Sequence, residues 1–123
     1  MNMALIRSCL LAVLLLSVSR GAFALTGDEL LKQCTAADQS MDRRLCESYI
    51  NGALSGANMI MVGMKMLYPD ASSYPTLFCV NPSTPTSKLV SAVVEYLRGH
   101  PQARRYDAGS EVLLAFRKSF PCD

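Results

Sequence analysis

From residue 25 onward, apolar positions recur at the spacing of amphipathic helices, and a start or stop signal bounds each run. Thr26-x-x-Glu29 ahead of Leu30-Leu31 is a capping-box pattern and predicts a first helix to about Asp38. Asp42 is the candidate cap of a longer second helix to roughly Tyr68, where Pro69 stops it. Between Pro69 and Pro85 the chain holds four prolines among Ser, Thr and Asn, which predicts a long loop. Thr84-Pro85 opens a third helix, since the fixed φ of proline suits a first turn. Its apolar stripe is Leu89, Val90, Val93, Val94, Tyr96 and Leu97, and Gly99 with Pro101 ends it. Asp107 is placed to cap a fourth helix, with Val112, Leu113, Phe116 and Phe120 inward and Pro121 as terminator. The pattern predicts an all-α domain of four helices arranged as two hairpins.

The first two dozen residues follow a different pattern. Arg7 opens a short positive end, Cys9 to Leu16 is apolar, and Ala22-Phe23-Ala24 is a small-x-small site. This reads as a secretory signal peptide over residues 1–24, cleaved after Ala24. Its apolar run is short for a membrane span. Removing 24 of the 123 residues leaves 99, enough for a single domain over residues 25–123 with a modest core. Arg7 and Arg20 leave with the leader, so the 12 basic residues fall to 10, matching the 10 acidic ones. The resulting zero formal charge gives no basic surface for nucleic acid or an anionic membrane. No membrane insertion of the mature chain is expected.

Four cysteines remain, Cys34, Cys46, Cys79 and Cys122, an even number that reads as two disulfides in an oxidising compartment. The helical layout favours Cys34–Cys46 and Cys79–Cys122, which the chain-entropy model values at about 3 and 4 kcal/mol. Cys46–Cys79 with Cys34–Cys122 is the less local rival.

Little in the chain suggests catalysis or a cofactor. The one histidine, His100, lies between Gly99 and Pro101 and reads as part of a helix end; a general base would need a positioned partner. No C-x-x-C occurs, which argues against thioredoxin-like chemistry and structural zinc. Met59-Ile60-Met61-Val62-Gly63-Met64-Lys65-Met66 offers soft sulfur for Cu(I), but helical spacing separates the four thioethers. Adaptable core filling is the preferred reading of these methionines, and no metal site is assigned. Gly52-x-x-x-Gly56 with Ala53 and Ala57 forms a small-residue strip for close helix packing, within the domain or against a second copy. Arg104, Arg105 and Tyr106 combine residue types common at binding hot spots. Tyr74 and Phe78, in the long loop, either pack beneath it or face a partner.

In order along the chain, Cys46-x-x-Tyr49-Ile50-x-Gly52, Phe78-Cys79, Leu89-Val90-x-x-Val93-Val94-x-Tyr96-Leu97-x-x-x-Pro101 and Phe120-Pro121-Cys122 resemble the Rap/Tai family. These are periplasmic immunity proteins against peptidoglycan amidases delivered by type VI secretion. Where that family commonly has Cys-x-Pro after the aromatic, this chain has Cys79-Val80-Asn81-Pro82. The resemblance implies a helical homodimer that blocks an amidase cleft with a protruding loop, here Gly99 to Asp107 or Tyr68 to Phe78, without being an enzyme. Two other functions compete with it. One is a periplasmic stress chaperone of HdeA-like type, since acid would swing a balanced chain strongly positive. The other is a Cu(I) carrier through Met59, Met61, Met64 and Met66.

Overall fold

Thr26 starts the first helix as its sequence pattern predicts. Its hydroxyl accepts from the Glu29 amide at 3.3 Å, and the Glu29 carboxylate accepts from the Thr26 amide at 2.8 Å. The computed structural model describes residues 24–70 and 76–122, so the leader reading and Tyr74 lie outside the described residues. Helix α1 spans Gly27–Cys34, shorter than predicted. Thr35 ends it early: its hydroxyl donates to the Leu31 carbonyl at 2.8 Å and also to the Lys32 carbonyl at 3.3 Å. The Ala36 amide, which would bond the Lys32 carbonyl in a continuing helix, donates to the Gln33 carbonyl at 3.2 Å instead.

Helix α2 spans Met41–Leu67. Ser40, rather than Asp42, is its cap, and its Oγ accepts from the Arg43 amide at 3.1 Å. Gln39 just before it takes a left-handed conformation, φ 65°, which turns the chain into the helix two residues ahead of Asp42. Asp42 lies instead in the first turn, where its charge suits the helix dipole. Arg43 ties α2 back to α1 by donating to the Cys34 carbonyl at 2.6 Å.

Helix α3 spans Thr86–Gly99 with Pro85 at its cap position, and α4 spans Ala108–Ser119. A short 3-10 turn, Pro101–Arg105, lies between them. The described residues thus hold four α-helices and no strand, as expected for an all-α chain; one isolated bridge joins Thr26 to Asp107. Both favoured disulfides are present, Cys34–Cys46 and Cys79–Cys122.

The core forms where one face of each helix meets the others. Leu30 and Cys34 come from α1, Cys46, Ile50 and Ala57 from α2, Leu89, Val90, Val93 and Leu97 from α3, and Ala108, Val112, Ala115 and Phe116 from α4. Phe78 is also buried, its ring edge-on to Phe116 at 5.4 Å, so this loop aromatic packs beneath the loop. The neighbouring backbone follows, with the Cys79 amide donating to the Phe120 carbonyl at 2.8 Å.

Candidate functional site

The segment joining α3 to α4 is short, and nearly every residue in it has a structural anchor. His100 ends α3; its Nδ1 lies 2.7 Å from the Tyr96 carbonyl, and the two rings stack at 4.2 Å. Arg104 turns back over the same helix end, Nε donating to the Leu97 carbonyl at 2.7 Å and an outer nitrogen to Arg98 at 3.2 Å. A guanidinium is well suited there, because the last carbonyls of a helix lack internal donors. Arg104 is therefore a cap for α3 as well as a member of the predicted contact cluster.

The chain just ahead of α1 holds the other side of this segment. Gly27 donates to the Tyr106 carbonyl at 3.0 Å, and Ala108 donates to the Leu25 carbonyl at 2.8 Å. The approach requires glycine: a Cβ on Gly27 would stand 2.9 Å from the Arg104 Cα. Asp107 then caps α4 as predicted, accepting from the Ser110 amide at 2.9 Å. Arg105 and Tyr106 are left at the tip. The Arg105 guanidinium lies over the Tyr106 ring, 5.2 Å from its centroid, and Tyr106 is 54% exposed.

The first turn of α4 holds a group the sequence reading missed. Glu111 is only 4% exposed, and its Oε2 has no hydrogen-bond partner. Burial raises its pKa first of all and the Asp107 charge adds to this, while the His100 charge and the Tyr96 hydroxyl oppose it. Tyr96 itself is raised by burial and by the Glu111 charge. Tyr49, from the Cys46-x-x-Tyr49 motif, is raised by burial and by Asp107. Its hydroxyl lies against the first turn of α4, 3.4 Å from where a Cβ on Gly109 would stand. The signal for Glu111 was its place among Ala108, Val112, Ala115 and Phe116, the buried stripe of α4.

A second surface runs along α2. Met41, Leu45, Gly52, Gly56, Met59, Gly63 and Met66 fall on one side at helical spacing, with no charge among them. Met59 is 74% and Met66 78% exposed, which corrects their assignment to the core; Met61, on the opposite side, does pack against it. The sulfurs of Met59 and Met61 thus point to different environments, and no cluster of three or more His, Cys, Asp or Glu that could hold a metal occurs among the described residues. The small-residue strip divides as well. Ala57 is buried and Ala53 packs on the core, whereas Gly52 and Gly56 are exposed, with nothing within 4 Å of an added Cβ. No helix among the described residues is long and apolar enough to cross a membrane.

Compared with known proteins, residues 26–122 match the family model of the Rap1a immunity proteins. No curated protein and no solved structure matches the chain.

Proposed function

The chain belongs to the Rap1a immunity protein family, and from that premise we propose that it neutralises a secreted peptidoglycan amidase by occupying its active-site cleft. The protein acts by occlusion and performs no chemistry of its own. The observation that carries this reading is the Arg105–Tyr106 tip, exposed on a segment anchored to α3, to α4 and to the chain ahead of α1. A pre-shaped loop loses little conformational freedom on binding, and tyrosine and arginine are among the residue types enriched at binding hot spots.

On this reading the leader through Ala24 directs export to the periplasm, where both disulfides form. Helices α1 with α2, and α3 with α4, make two hairpins. The protein works as a homodimer, paired through the uncharged side of α2. Gly52 and Gly56 let two backbones approach closely there, and the exposed Met41, Leu45, Met59 and Met66 supply apolar area at either end.

The test is inhibition of peptidoglycan hydrolysis by an amidase encoded beside this gene, using the mature oxidised protein. Arg105→Ala and Tyr106→Ala should each weaken inhibition about tenfold or more, a loss of ~1.4 kcal/mol or more, with the melting temperature unchanged. Arg104→Ala should lower the melting temperature, because it uncaps α3. Full inhibition by both tip variants would remove this loop from the binding surface.

A further inference from the structure

Five methionines lie among the described residues, all on α2, in two distinct settings. Met41, Met59 and Met66 are 65%, 74% and 78% exposed. Eighteen residues, five full turns, separate Met41 from Met59, and seven separate Met59 from Met66, so the three share one face. The positions between them on that face include Gly52, Gly56 and Gly63, where even an added Cβ would meet nothing within 4 Å. Met61 packs against the core and Met64 is partly buried.

We infer that Met41, Met59 and Met66 are sites of sulfoxidation by peroxide-class oxidants, and that this modification disperses self-association through α2. A sulfur lone pair attacks one oxygen of hydrogen peroxide and the O–O bond breaks. The sulfur, oxidised by two electrons, becomes the sulfoxide; the departing hydroxide takes the remaining proton and leaves as water. A flexible apolar side chain becomes a polar one, and a methionine sulfoxide reductase reverses the change. The sulfurs are accessible in the unpaired chain and covered in the paired one. Oxidation therefore draws on the unpaired form and traps it by mass action. The coupling to self-association rests on the dimer reading above; the selectivity of oxidation rests on exposure alone.

The test treats the mature oxidised protein with graded hydrogen peroxide, then combines peptide mass mapping with analytical ultracentrifugation. Met41, Met59 and Met66 should gain oxygen several times faster than Met61 and Met64, and more slowly as protein concentration rises. Peroxide-treated wild type should sediment as the smaller species, while the Met41→Leu/Met59→Leu/Met66→Leu variant keeps its association. Equal rates at Met61 and Met59 would overturn the site assignment. Treated wild type that stays as associated as the variant would overturn the switch. An untreated protein that is monomeric at every concentration would overturn the dimer premise and the switch together, while the mass map still decides the oxidation sites.

Discussion

At the scale of single residues, two glutamates give opposite pH responses. The Glu29 pKa is lowered, mainly by the Thr26 amide and then by the Thr26 hydroxyl. A depressed carboxylate contributes stability above its unfolded value of 4.5, and that contribution disappears as pH falls through the lower folded value. The Glu111 pKa is raised, chiefly by burial. The folded state therefore holds its proton more tightly, and the contribution, complete below 4.5, is lost as pH rises through the folded value. Glu111→Gln should flatten the neutral side of the stability–pH curve and raise stability at pH 7 by about 1 kcal/mol, by removing a buried charge of which one oxygen, Oε2, lacks a hydrogen-bond partner. Glu29→Gln should flatten the acid side. Thermal unfolding from pH 3 to 8 checks both, and a Glu111→Gln curve parallel to wild type would refute the first. The capping box was legible because it is a local pattern of residue types. Glu111 was harder to see, because an acidic residue in the first turn of a helix reads as dipole complement even where, as here, it falls within the apolar stripe.

Among the described elements, α2 is the longest at 27 residues, about 40 Å. Its buried residues, Cys46, Ile50 and Ala57, all come from its first seventeen positions, and its last turns carry exposed Met59, Ile60, Val62, Met66 and Leu67. Helical periodicity in the sequence located the small-residue strip but not its split, since adjacent residues lie 100° apart and only the neighbouring helices decide which pair faces in. Gly56→Arg should abolish self-association while leaving helicity and the monomer fold intact, because the new side chain enters open space. Sedimentation velocity beside circular dichroism tests this, and an associated Gly56→Arg protein would remove this face from the interface. The contact of Gly27 with the 3-10 turn has the opposite character. Gly27→Ala should lower stability by roughly 1–3 kcal/mol, the usual cost of overpacking, since its Cβ meets backbone rather than a movable side chain. Chemical denaturation would measure it, and a loss below a few tenths would show that the turn yields.

For the molecule as a whole, the helix number was readable because caps and stops are local signals, and the predicted helix layout favoured both observed disulfides over the less local pairing. The bridge of Thr26 to Asp107 was not readable: its partners lie far apart in sequence and two residues make no periodic pattern. Of the two disulfides, Cys79–Cys122 closes the longer loop, with a separation of 43 residues against 12, and should be the costlier to lose. Cys79→Ser/Cys122→Ser should lose about 4 kcal/mol and Cys34→Ser/Cys46→Ser about 3. Urea midpoints of the two variants would test the order, and a reversal would mean that strain or residual structure outweighs loop entropy.

The two bridges are also arranged in series: Cys34 with the next cysteine along the chain, then Cys79 with the next. Neither crosses the other. On the proposed export route, in which the chain threads through a pore amino end first, an oxidase that couples each newly emerged thiol to the one before it reaches this connectivity directly. No wrong bond has to be undone, so maturation of this protein should need an oxidant and no disulfide isomerase.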